Sequence, residues 1–143
     1  GTRIDAALTV WVAGDAAPPL LRKSGLPVDA EGYLRVDATL RAVDGRPVFG
    51  AGDCIGIAGY PGLAKAGVYA VREAPILEHN LRAALAGTEP RHFRPQAGFL
   101  ALLNSADGRA IWRWKGLAGH SRLAWRLKDR LDRAFLQRYP EAR

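Results

Sequence analysis

A glycine turn ending in a carboxylate stands out: Gly50-Ala51-Gly52-Asp53, within P-V-F-G-A-G-D-C (Pro47 to Cys54). Two glycines remove side chains where another group must approach the backbone. A carboxylate at such a tip accepts two hydrogen bonds from adjacent hydroxyls, which suits the sugar-like part of a nucleotide cofactor. The same residues also suit a plain Gly-Asp turn. They are not a dinucleotide phosphate fingerprint, because Ile55 and Gly56 follow in the wrong spacing. Downstream, the Gly/Pro loop ends at Pro61-Gly62 and a helical pattern begins at Leu63, Ala64 and Lys65. The N–H groups of a helix start there would stabilise a partial negative charge, with Lys65 adding a full positive one. A solvent-facing lysine is the simpler reading of Lys65.

Other reactive side chains lack company. Cys54 is the single cysteine, so an internal disulfide and a C-x-x-C dithiol are both excluded. Beside a small-residue loop it reads as a buried small hydrophobe. His79, His92 and His120 lack metal-ligand spacing, and no G-x-S-x-G motif supports nucleophilic catalysis.

These residues must be positioned by elements the pattern predicts. Ala6 to Ala13 reads as a buried parallel strand closed by Gly14-Asp15, and Pro18-Pro19 open a short helix with Leu20 and Leu21 on its buried face and Gly25 as its stop. Tyr33, Leu34 and Val36 read as a strand, as do Val48 and Phe49 after the Asp44-Gly45 turn. Leu63 to Leu85 is the main helix, with Leu63, Ala66, Gly67, Ala70, Val71 and Ala74 on one stripe, continued by Leu77, Leu81, Ala84 and Leu85. Pro75 predicts a kink or break, and Gly87 ends the element. After a linker over Thr88 to Pro95, Gly98–Asn104 and Arg109–Lys115 flank an Asp-Gly hairpin turn, and Gly116 and Gly119 mark a loop. Ser121 is a candidate N-cap for a last helix whose Leu123, Leu127, Leu131, Ala134 and Phe135 share one face.

The totals bound the class. The 143 residues are 48% hydrophobic and 24% charged, an ordinary globular balance. Formal charge is +7, which invites phosphates, nucleic acid or an anionic membrane, though a solvated basic surface explains it equally well. Residues 119–138 carry six basic and two acidic side chains. With Trp112, Trp114 and Trp125 nearby, this basic helix could lie on a membrane surface, cover a pocket or join a homodimer, although an apolar stripe is more often core. No recognised nucleic-acid motif is present. No uncharged apolar run is long enough to span a bilayer, and no signal peptide is visible. The single cysteine suggests an intracellular setting. With no methionine and a Gly-Thr-Arg-Ile-Asp start, the chain is expected to be a piece of a longer polypeptide.

Three segments carry a resemblance: V-D-A-T-L-R (Val36 to Arg41), P-V-F-G-A-G-D-C, and P-G-L-A-K-A-G-V-Y-A-V-R-E-A-P-I-L-E-H-N-L (Pro61 to Leu81). Together they resemble the C-terminal half of the FAD-dependent pyridine nucleotide-disulfide oxidoreductase superfamily. The branch is similar to type II NADH dehydrogenases and to the flavoprotein module joined to selenophosphate synthetase. F-L-A-L-L-N-S-A-D-G-R-A-I-W and A-W-R-L-K-D-R-L-D-R-A-F-L are similar to that branch's end domain. The resemblance implies an α/β to α+β architecture: a partial two-dinucleotide-binding-domain flavoprotein fold with a small C-terminal α+β domain of hairpin plus helix. Residues 1–34 would end the NAD(P)H-binding domain, 35–87 would form the C-terminal FAD segment, and 88–143 the end domain. Asp53 would hold the ribityl hydroxyls of FAD, with close approach at Gly50, Ala51 and Gly52. Leu63, Ala64 and Lys65 would face the N1/O2 side of the flavin ring. Trp11, Val12, Ala13 and Gly14 would belong to the NAD(P)H side. The implied reaction is hydride transfer from NAD(P)H to FAD, then electrons to a quinone or other acceptor, in the cytoplasm or at the inner face of its membrane. The glycine fingerprints for the cofactor phosphates are absent, so the resemblance makes the missing N-terminal part of the same protein a required partner and this segment inactive alone. The rival expectation is a non-catalytic assembly or membrane-surface-binding module built on the basic helix.

Overall fold

A computed structural model describes residues 3, 5–10 and 14–138. It is a mixed α/β structure in two compact units, Gly1–Pro95 and Gln96–Arg143. Among the described residues there are three α-helices, a two-stranded parallel sheet and a three-stranded antiparallel sheet.

In the first unit, helix α1 (Pro19–Lys23) starts at proline, whose missing N–H costs nothing in a first turn. Leu20, expected on a buried face, is exposed, because the helix is a single short turn over the surface. Strand β1 (Leu34–Val36) pairs in parallel with β2 (Ile55–Ile57), in the register Leu34 to Ile55 and Val36 to Ile57. These four side chains are buried with Leu40, Ala42 and Phe93. The expected strand at Val48-Phe49 is instead one arm of a tight loop. Ala42 N–H donates to Val48 O (2.8 Å) and Gly50 N–H to Leu40 O (3.0 Å), closing around Gly45. The ladder strand comes after the glycine turn rather than before it. The strand expected over Ala6 to Ala13 is also corrected. Residues 6–10 are exposed and unpaired with any described strand, and 11–13 lie outside the described residues.

Helix α2 (Gly67–Ala86) begins four residues later than the sequence pattern suggests and ends at Gly87, whose φ of 67° lets its N–H reach Ala83 O. Pro75 neither breaks nor ends it. Pro75 and Val71, whose carbonyl loses its helical partner there, are both on the exposed side. The buried face is not the predicted stripe. Val71, Leu81 and Leu85 are exposed, and the inward residues are Tyr69, Glu73, Asn80 and Ala83. Two polar side chains are buried because both are satisfied. Asn80 Nδ2 donates to Thr39 O (2.7 Å) and Arg91 O (2.8 Å), while its Oδ1 accepts Arg91 N–H (2.7 Å). That clamp ties α2 to the turn at Asp37–Leu40, which the Asp37 carboxylate organises by accepting the N–H and hydroxyl of Thr39.

In the second unit, β3 (Ala101–Asn104), β4 (Ala110–Trp114) and β5 (Leu117–Ser121) form the antiparallel sheet in that order. The β3–β4 hairpin is as predicted. Gly119 lies within strand β5, not in a loop, whereas Gly116 does sit in a turn. Lys115 (φ 46°) and Gly116 (φ 84°) make a two-residue turn whose left-handed backbone matches strand twist. Gly119 pairs with Trp112, and a Cβ there would stand 2.7 Å from the indole. The glycine thus leaves room for a tryptophan laid across the strand. Helix α3 (Arg122–Leu136) starts at Ser121, whose Oγ accepts Ala124 N–H (3.1 Å). It packs on all three strands, and Ala124 is its buried residue. The predicted core stripe is largely outside: Leu123, Leu127 and Leu131 are 75%, 42% and 51% exposed.

Candidate functional site

The first unit holds a cavity of about 570 Å³ along β2. Gly52 and Asp53 of the 3-10 turn Gly52–Cys54 line it together with strand β2. Residues 58–66 of the following loop, Tyr33 and Arg35 at β1, and Tyr69 and Glu73 of α2 also line it. Its charged lining is four carboxylates (Asp29, Glu31, Asp53, Glu73) against two cations (Arg35, Lys65).

The predicted residues divide. Gly52, Asp53, Leu63, Ala64 and Lys65 all line this cavity. Gly50 and Ala51 do not. Gly50 is buried against the sheet core, where a Cβ would stand 2.6 Å from Ile55 Cγ2 and 3.0 Å from Leu34 Cδ2. Packing, not ligand approach, requires that glycine. Asp53 is exposed at the turn that precedes β2. Leu63 to Lys65 are not a helix start; they form an irregular lead-in, with Ala66 as the N-cap of α2. Lys65 Nζ donates to Ile55 O and sits 4.0 Å from the centroid of the Tyr33 ring, so the ammonium is braced by a carbonyl and an aromatic face. Gly14 is exposed and apart from the cavity lining, and Trp11, Val12 and Ala13 lie outside the described residues.

Asp29, Tyr33, Tyr69 and Glu73 complete the site without having been singled out from sequence. Asp29 Oδ1 accepts Tyr33 N–H (2.8 Å), and its other oxygen lies over Gly56, where a Cβ would collide with it. The Tyr33 hydroxyl donates to Asp15, and this bond raises the phenol to about 12. Glu73 Oε2 accepts Gly52 N–H at 2.5 Å. Burial pushes the Glu73 carboxyl up, opposed by the Gly52 bond and by Lys65, and assisted by the neighbouring Asp53 charge. The one available sequence signal was Tyr69 and Glu73 four apart on a helix, facing the same way.

The second unit brings Ser105, Asp107 and His120 together at the hairpin end. Ser105 Oγ lies 2.8 Å from His120 Nε2 and donates to Asp107 Oδ1 (2.6 Å), while Asp107 Oδ2 is 3.6 Å from the same Nε2. Nucleophilic catalysis needs the carboxylate on the opposite ring nitrogen. Here all three converge on one, so the cluster closes a turn. The Ser105 bond leads in holding the Asp107 carboxyl below its ordinary value. Among the described residues no cluster has metal-ligating geometry, and no helix is long and apolar enough to cross a membrane.

No protein-family model matches the chain, and no curated protein matches it.

Proposed function

We propose that the chain is the C-terminal part of a FAD-dependent NAD(P)H dehydrogenase, with the cavity of the first unit receiving the flavin ring and ribityl chain. One observation carries this reading: five of the seven residues chosen from the sequence for flavin contact, up to thirteen positions apart, line a single cavity. The donor set fits that end of the cofactor. Asp53 offers a carboxylate to hydroxyls, and Tyr33, Tyr60 and Tyr69 offer aromatic surface. The acidic lining would repel a diphosphate, consistent with a phosphate site formed by polypeptide outside these 143 residues. When bound, FAD supplies the redox chemistry, two-electron transfer from NAD(P)H to a quinone or other acceptor. The protein's part is to bind, orient and shield. Asp53 would hold ribityl hydroxyls, and Lys65, braced against Tyr33, would supply positive charge beside the ring.

On this reading residues 1–34 close the NAD(P)H domain of a two-dinucleotide-binding-domain flavoprotein, 35–87 form its second FAD segment, and the end domain expected over 88–143 begins at Gln96, since 88–95 pack in the first unit, in a cytoplasmic enzyme. The test is the visible spectrum of the full-length protein with and without NADH. Flavin bands that bleach with NADH are expected, and Asp53→Ala is expected to lower FAD affinity at least tenfold. A colourless protein, or an unchanged flavin content in the variant, refutes the reading.

A second reading attaches to the second unit alone. Leu123, Leu127 and Leu131 are exposed along α3 with Arg126 and Arg130 beside them. An amphipathic helix with arginines next to an open leucine strip suits the surface of an anionic bilayer. Co-sedimentation with phosphatidylserine-containing vesicles, lost in Leu127→Glu/Leu131→Glu and in high salt, is the expected result; equal binding by that variant removes this reading.

A further inference from the structure

We propose that Glu73 is the positioning residue of the site: its carboxylate, on α2, caps the Gly52–Cys54 turn and so sets where Asp53 presents its oxygens. The inference rests on the flavin reading above for its consequence, but not for its geometry.

A short helical turn needs an acceptor for its first N–H groups, normally supplied by the residue just before it. Here that residue is Ala51, which has no side-chain acceptor. Gly52, at φ 77°, aims its N–H away from the local chain and onto Glu73 Oε2, 21 residues later. Glu73 is only 2% exposed and sits on the inward face of α2. The same helix is fixed seven residues on by the Asn80 clamp. The Asp53 backbone is therefore referenced to α2, not to the Gly/Pro loop opposite. Buried carboxylates are costly unless paired, which makes a purely incidental glutamate at this position a poor choice over leucine. The charged groups facing it are Lys65, on the lead-in to α2, and Asp53, on the turn itself. Lys65 favours the ionised carboxyl and Asp53 the neutral one, and burial adds to the latter.

The test uses Glu73→Gln, which keeps an oxygen acceptor, and Glu73→Leu, which keeps bulk but no acceptor. Two readouts are taken: amide hydrogen exchange at Gly52, and FAD affinity of the full-length protein. Glu73→Gln is expected to retain Gly52 protection and to bind FAD within about threefold of wild type. Glu73→Leu is expected to lose at least tenfold in both while keeping protection across the rest of α2. In the wild-type protein the Gly52 amide resonance is expected to show a titration step that is absent in Glu73→Gln. That measurement needs neither bound flavin nor a folded leucine variant. Unchanged Gly52 exchange in Glu73→Leu, or a Gly52 titration that is the same in wild type and Glu73→Gln, overturns the inference. Loss of FAD in Asp53→Ala with full binding in Glu73→Leu overturns it while sparing the flavin reading. Full binding in Asp53→Ala refutes that reading and, with it, the role of Glu73 toward the cofactor.

Discussion

Replacing Asn80 by alanine tests the central support of the site. The side chain is 1% exposed and makes three hydrogen bonds of 2.7–2.8 Å, to Thr39 O, Arg91 O and Arg91 N–H. Alanine removes all three and leaves two carbonyls and one amide without that partner. At about 1 kcal/mol net per bond, and more where water cannot replace it, the loss is about 3 kcal/mol. For a unit of this size that lowers the melting temperature by roughly 10–20 °C. The assay is urea unfolding followed by circular dichroism, with the wild-type slope as the control for an unchanged transition. Asn80→Asp serves as a second probe: it keeps an acceptor for Arg91 N–H but sets a carboxylate against two carbonyls. It is expected to be less stable than the alanine variant at neutral pH and to recover on acidification. A loss below about 1 kcal/mol for Asn80→Ala, the value of one exposed bond, would refute the view that α2 is held through this clamp.

Gly119→Val forces the Trp112 indole off its neighbouring strand, because even a Cβ at this position would stand only 2.7 Å from the ring; a cost of about 1–3 kcal/mol is expected, read by thermal denaturation and by the altered fluorescence of the tryptophans. Stability should also depend on pH through Glu73. Its folded carboxyl is raised above its ordinary 4.5, chiefly by burial, so its contribution is complete below that value and is lost as pH rises through the folded one. The melting temperature of wild type relative to Glu73→Gln is therefore expected to fall between acid and neutral pH, and a constant difference would contradict this assignment.

Local chemistry alone determined several elements. Proline at a first turn, Gly87 in the left-handed region, the Ser121 cap and the Asp-Gly hairpin each act within a few residues, so the sequence displays them directly. Gly52, Asp53 and Lys65 stand out in a string as a loop glycine, an acid and a lysine, whereas Leu63 and Ala64 were chosen for a helix start that the structure places at Gly67. Partners distant in sequence decided the rest. Ile55-Gly56-Ile57 is too short to announce itself as a strand, and becomes one because β1 lies alongside and Gly56 leaves space for Asp29. Gly119 looks like a loop residue until Trp112 is laid across it. Periodicity placed the inward face of α2 on small apolar residues, yet the fold turned Glu73 and Asn80 inward. Hydrophobicity counts a buried polar side chain only as a cost, and cannot register that Gly52, Thr39 and Arg91 wait as its partners. The stripe of α3 fails in the opposite sense: leucines at helical spacing record amphipathicity, but only packing shows that the sheet takes Ala124 and leaves much of the leucine strip to solvent.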